Sequence, residues 1–214
     1  MLDQRVLAAW TASAGLHEPG GPGSPRDLAE VERASGRRMP PAFRELYARH
    51  DGGSWLAGDL VLFPLVREHD LTVARASTTY RGWEWPVPEE LVLIGTGGGG
   101  DPIGLWVPAA TPGRPLVVGV GSVFEPGCLG ILGEDLDSFL RAWTAYHLLL
   151  PDREEVTAAL DALELPRRLR ADDPDDETFA LVGEWASPTI PRSLRDPYQA
   201  RLTADDVRRF ATDR

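Results

Sequence analysis

Residues 97–101 read Gly-Gly-Gly-Gly-Asp, a run whose bare amides can cradle an anion. A phosphate loop needs Gly-Lys-Ser/Thr and then a helix. Here Asp-Pro-Ile-Gly follows, an apolar strand-like run comes next, and the Asp101 carboxylate repels phosphate. The run is therefore expected to be a β-turn or a bulged hairpin. The four histidines, His17, His50, His69 and His147, show neither metal-ligand spacing nor His-Glu-x-x-His, so no metal site is expected. His50 falls near the end of a predicted helix, where an imidazole faces the dipole favourably. His147 lies on an apolar helical stripe and reads as a packed histidine. Cys128, in Glu-Pro-Gly-Cys-Leu-Gly, matches no thiol-enzyme signature. Gly119-Val-Gly-Ser-Val misses the last glycine of a nucleophile elbow. No catalytic or cofactor-binding residue is assigned, and a non-catalytic protein is expected.

The other candidates are groups that bind. Tyr80-Arg-Gly-Trp-Glu-Trp-Pro-Val-Pro88 places aromatics in a Pro/Gly-containing segment, and interface anchors are enriched in Trp, Tyr and Arg. In an extended segment Trp83 and Trp85 face the same side; the competing reading makes them satellite core at a sheet end. Trp55, just after Gly52-Gly53, is a further surface candidate. With the acidic Asp101 and Glu125, these residues form the expected protein-binding set.

The elements that must position them follow from periodicity. Residues 3–14 have Val6, Leu7 and Trp10 at helical spacing. Ser24-Pro25-Arg26-Asp27 supplies a cap, a first-position proline and an acidic third residue for a helix that Gly36 stops. Pro40-Pro41 opens another helix, with Phe43, Leu46 and Tyr47 on one stripe and Gly52-Gly53 at its end. Residues 60–63, 91–94, 103–107 and 116–120 are short apolar runs bounded by Gly and Pro and read as strands. Residues 66–77 read as a helix. The loops between the later runs are short, which favours an antiparallel meander over parallel crossovers. Leu136, Phe139, Leu140, Trp143 and His147 share one face of a closing helix. The expectation is an α+β fold: a twisted, mostly antiparallel central sheet packed with helices. Residues 1–150 carry it, and 151–214 form a helical C-terminal extension with an acidic segment at 172–177 and helices near 152–163, 179–185 and 203–210.

Composition limits the partners. The 214 residues carry a net charge of −11, which disfavours nucleic acid, whose phosphates need basic patches, and anionic membrane. Ten arginines against 15 carboxylates give −5 for residues 151–214 and leave −6 for 1–150, so the acidity is shared. An acidic surface can steer a basic partner, although it also serves solubility alone. All 22 basic residues are Arg, read as the codon bias of a GC-rich, bacterial genome. One cysteine, no signal-peptide pattern and no apolar run of spanning length point to a cytoplasmic protein.

The order of these segments is the strongest signal. Leu28-Ala-Glu-Val-Glu32, Gly36, Met39-Pro40, the Tyr/Phe-rich helix ending at Asp51-Gly-Gly53, the run from Pro88 through Leu91 to Gly95, Gly99 to Asp101 and the closing helix with Phe139 follow one another over residues 25–145. This series resembles the SUKH superfamily, whose best-known branch is the SMI1/KNR4 family. In that family Asn is more usual at the position of Asp51, and an acidic residue near the later strands is matched by Glu125. The resemblance implies a partner-binding domain without cofactor, and many bacterial members are immunity proteins against secreted toxins. It therefore implies a protein partner, a basic toxin domain, blocked by occlusion. A regulatory scaffold of the SMI1/KNR4 kind is the alternative, and an unrecognised carboxylate-based hydrolase is the second; the latter requires at least two carboxylates to converge in a pocket with perturbed pKa values.

Overall fold

Each early helix begins where its capping chemistry puts it. Asp3 accepts the Arg5 N–H at the start of α1 (Gln4–Ala12), and Ser24 accepts the Asp27 N–H at the start of α2 (Pro25–Ser35). Gly36 ends α2 in the left-handed region, as the sequence leads one to expect. The third helix, α3 (Pro41–Arg49), buries Phe43, Leu46 and Tyr47. These coordinates are a computed structural model that describes residues 2–66, 71–83, 86–108, 115–121, 127–150, 156–170 and 173–212. Trp85, Glu125 and His69 lie outside the described residues.

The strands β1 (Glu18–Pro19), β2 (Gly53–Trp55), β3 (Leu60–Leu62), β4 (Leu91–Gly97), β5 (Pro102–Trp106), β6 (Leu116–Val120) and β7 (Leu129–Gly133) form a single sheet in sequence order, each antiparallel to its neighbour. The meander is the one expected. Three strands were not anticipated: β1 and β2 are too short to show a period, and β7 begins and ends among glycines. Nearly every residue of β4–β7 is buried. Successive strand side chains point to opposite faces, so both faces of this part of the sheet are covered.

Of the helix expected over 66–77, residues 67–70 lie outside the described residues; 71–75 are not helical, and α4 spans Ala76–Gly82. Val73 and Ala74 instead donate their N–H groups to the carbonyls of Pro64 and Leu65, nine residues back, so those amides are not spent on helical hydrogen bonds. Ser77 of α4 then finishes β4 where β3 has ended. Its hydroxyl donates to Leu91 O and accepts from Leu93 N, both at 3.0 Å, which satisfies an otherwise open strand edge.

The closing helix α5 (Leu136–Leu148) starts with a reciprocal capping box between Asp135 and Ser138 and packs on β6 and β7. The extension supplies α6 (Thr157–Ala162), α7 (Asp176–Ala186), α8 (Pro197–Ala200) and α9 (Ala204–Thr212). Helix α6 lies on α1, α7 on α5, and α8 and α9 on β7. Leu202 adds one antiparallel bridge to Leu129. Leu160, Leu163, Leu169, Val182 and Val207 join the same core as residues 2–149. Each such leucine contributes on the order of 2 kcal/mol of burial, so the described part of the extension is held by ordinary core packing.

Candidate functional site

The Gly97–Asp101 segment is the hairpin between β4 and β5. Gly97 N donates to Asp101 O at 2.9 Å, and Gly100 N donates to Gly97 O at 2.8 Å. Gly100 has φ +85°, a value that a side chain would penalise. This is a bulged turn of the expected kind, and it forms one wall of a cleft.

The cleft has a volume of about 460 Å3. Asp101 and Ile103 reach it from the hairpin, Val120 from β6, Trp143 and His147 from α5, Asp59 from the turn before β3, and Asp196 from the residue before α8. Three carboxylates from three distant chain segments thus border one opening. Asp59 is the best fixed of them. Its Oδ2 lies 2.8 Å from His147 Nδ1, and its main-chain carbonyl accepts the Trp143 indole N–H at 3.2 Å. Trp143 and His147 are four residues apart on one helical face, with ring centroids 5.3 Å apart.

The glycines let these groups approach. A Cβ at Gly97 would sit 3.3 Å from the Trp143 ring, and one at Gly98 would sit 3.1 Å from Asp59 Oδ1. The glycine run serves a bare-backbone wall against which an indole and a carboxylate lie. Just before Asp59, Leu56 and Ala57 both hold positive φ, +55° and +58°, unfavourable for residues with a side chain. The Leu56 N–H donates to His17 Nδ1 at 3.1 Å, which helps to hold that turn.

The expected binding residues separate. Asp101 lies in the cleft. Trp83 follows α4 and is 55% exposed, with its ring 5.1 Å from Tyr80; it does not line the cleft, and α4 meets β4 at Leu91 and Leu93, the end away from the glycine turn. Trp85 and Glu125 lie outside the described residues. Trp55, expected at the surface, is only 2% exposed. Its ring stacks on Trp10 at 4.1 Å, meets a tilted His17 ring at 5.3 Å and an edge-on His50 ring at 5.0 Å. Following a glycine turn placed it near the surface in sequence, but the sheet and α1 close over it.

Asp59, Trp143, His147 and Asp196 were not foreseen as site residues. The four-residue spacing of Trp143 and His147 was visible but reads equally well as core. His50 stands at the C-terminal cap of α3, as expected. The end of α3 favours a charged ring, yet burial against Trp55 dominates and pushes its pKa below the usual histidine value, a smaller upward pull coming from the Gly20 main chain. Among the described residues, no three His, Cys, Asp or Glu side chains are grouped so as to hold a metal ion, and no helix is long and apolar enough to cross a membrane.

The family model described as SMI1 / KNR4 family (SUKH-1) matches residues 22–142, which takes in α2, α3, the sheet from β2 to β7 and the first half of α5. The chain belongs to the SMI1/KNR4 (SUKH-1) family. No curated protein matches it. The match covers Asp59 and Asp101, while Trp143, His147 and Asp196 lie beyond its last residue. The family relation supports a role in protein–protein interaction, and the cleft at the β4–β5 turn brings Asp59, Asp101 and Asp196 to one opening.

Proposed function

We propose that this SUKH-1 protein is a non-catalytic binding domain of the immunity kind, which blocks a toxin domain by covering it. The cleft formed by Asp59, Asp101 and Asp196 receives a basic side chain of that partner. The observation that supports this reading is that Asp59, Asp101 and Asp196 line one cleft together with Trp143 in a chain of net charge −11. A guanidinium suits such a cleft, since it can bridge carboxylates and lie on an aromatic face at once. The overall charge would raise the encounter rate with a basic domain.

The deciding experiment is calorimetry of the protein against the product of the adjacent gene, with that product's toxic activity assayed in parallel. Nanomolar one-to-one binding that abolishes toxicity, and that Asp101→Asn weakens by about tenfold or more, supports the reading. Several moderate-affinity partners recovered from the native host, with no toxin among them, would instead favour a regulatory scaffold.

One observation favours a second reading. The carboxylate-hydrolase alternative needs at least two carboxylates in a pocket, and the Asp59–His147 pair beside Asp101 has the elements of an acid–base dyad. Hydrolysis of ester or phosphoester probes that His147→Gln abolishes would establish it; equal, background-level turnover in both proteins sinks it.

A further inference from the structure

Residues 56–59 form the loop between β2 and β3, whose flanking residues Trp55 and Leu60 pair with each other. The loop is held against its own preference. Leu56, Ala57 and Gly58 have φ of +55°, +58° and +93°, and the first two carry side chains that disfavour that region. Such backbone persists only where its surroundings hold it. Here the Leu56 side chain is buried, and the Leu56 N–H donates to His17 Nδ1 at 3.1 Å. Asp59 ends the loop, donates its own N–H to Leu56 O at 3.3 Å and enters the cleft.

The neighbours of His17 dictate where its hydrogen sits. A main-chain N–H can only donate, so Nδ1 must be bare and the neutral ring carries its hydrogen on Nε2. Nε2 lies 3.0 Å from Ser13 Oγ. Ser13 spends its own hydrogen on Ala9 O at 2.9 Å, which leaves its oxygen as the acceptor. The chain of hydrogen bonds therefore runs one way, from Leu56 through His17 and Ser13 to Ala9, and it admits only the neutral ring. A proton added at Nδ1 turns the acceptor into a donor aimed at another donor. The ring is half-buried and lines an open pocket of about 300 Å3 between α1 and the end of α3, so protons reach it.

The groups around it are few in kind. Trp10 and Trp55 present uncharged rings at 6.0 and 5.3 Å. Arg49 and His50 line the same pocket, with Arg49 paired to Glu45 at 3.4 Å, and Glu18, next in the chain, is exposed. A proton on His17 thus arrives beside the charge of Arg49 and a second titratable ring. On the far side of the loop, His147 faces Asp59 from α5. A proton there tightens the pair with Asp59, the opposite effect.

We propose that His17 is a proton-operated latch on this loop: the neutral ring fixes the Leu56 amide and, through it, the place of Asp59. Protonation at Nδ1 releases the amide and loosens the Asp59 carbonyl from the Trp143 indole, a contact of 3.2 Å in the latched form. The cleft thereby becomes sensitive to pH through a residue that does not line it. The latch concerns the shape of the cleft and stands whether or not a toxin's basic side chain enters there.

The test is nitrogen and amide NMR of the isotope-labelled intact protein, titrated from about pH 8 to about pH 5, where imidazoles charge. Imidazole nitrogen shifts report each histidine separately, and a repeat in His50→Gln separates the two rings of the pocket. The neutral His17 ring is expected to carry its hydrogen on Nε2. The amides of Leu56 and Asp59 and the indole N–H of Trp143 should shift with the His17 midpoint. Once His17 is charged, protection of the Leu56 amide against exchange should fall about tenfold. His17→Asn, whose side-chain oxygen can replace Nδ1 but cannot charge, should keep that amide protected throughout. His17→Gln, which reaches toward Ser13 instead, should leave it unprotected even at the upper end. A neutral ring with its hydrogen on Nδ1 overturns the proposal. So do loop shifts that follow His50 or His147, Leu56 protection unchanged when His17 is charged, and a His17 that stays neutral to the lower limit. Should His17→Gln not fold, the wild-type titration and His17→Asn still decide.

Discussion

Asp59 and His147, 88 positions apart in the chain, meet with Oδ2 and Nδ1 at 2.8 Å, tying the turn before β3 to α5 at the cleft. Trp143 reinforces the tie through the Asp59 carbonyl. Both members of the pair are partly exposed, so its contribution to stability is modest, about 0.5–1 kcal/mol. A double-mutant cycle with Asp59→Asn and His147→Gln, read by denaturant unfolding, should show a coupling of that size. Zero coupling would mean that the two side chains are only neighbours. The same Asp59→Asn change should weaken partner binding more than it weakens the fold.

The glycine turn permits a sharper comparison. At Gly99 a Cβ meets nothing within 4 Å, whereas at Gly98 it meets Asp59, and at Gly100 the backbone has φ +85°. Gly99→Ala should therefore be neutral. Gly100→Ala should cost about 1 kcal/mol through backbone strain, with the cleft unchanged. Gly98→Ala should displace the Asp59 carboxylate and impair binding beyond its effect on melting temperature. Equal behaviour of the three variants would refute this account of the turn.

Much of this architecture is legible in the residues because it is local. Ser24 and Asp135 announce helix starts through short-range hydrogen bonds, Gly36 announces a helix end through its left-handed backbone, and the apolar runs announce β4, β5 and β6. What escapes is non-local. No pattern around residue 59 reveals that α5 will place His147 beside it, and Trp55 looks exposed until α1 and the histidines pack over it. The expected helix is absent at residues 71–75 for a more local reason: the carbonyls of Pro64 and Leu65, nine residues back, take the amides of Val73 and Ala74, a pairing that apolar periodicity does not signal. The place of Asp101 at a turn was legible from the glycines before it; that of Asp196 beside the cleft was not, since only the packing of the extension brings it there.

His50 makes stability depend on pH. Its pKa is lowered in the folded protein, chiefly by burial, so the unfolded chain binds the proton more readily. Stability is therefore fully present above the ordinary histidine value of about 6.5 and declines as pH falls below it toward the folded-state pKa. Replacement by Gln, which cannot charge, should flatten the stability profile between pH 7 and 5. A wild-type profile flat over that interval, or one that the variant leaves unchanged, would contradict the burial of this ring.

Arg208 fastens the end of the extension to the sheet domain. It grips Glu90 through two hydrogen bonds and lies 5.9 Å from the Trp106 ring centroid, while Leu202 is bridged to Leu129 nearby. Glu90's pKa is lowered first of all by Arg208, so this contribution is present above the ordinary glutamate value of about 4.3 and is lost as pH falls through the folded-state value. Arg208→Gln should cost about 0.5–1 kcal/mol, since Arg208 is solvent-exposed. The more telling readout is hydrogen exchange. The amides of Leu129 and Leu202, which bond to each other's carbonyls, should exchange faster in the variant, while those of β4 and β5 keep their protection. Faster exchange throughout the sheet would mean that the extension is part of one cooperative unit, and unchanged exchange would mean that Val207 and its core contacts hold α9 without the ion pair.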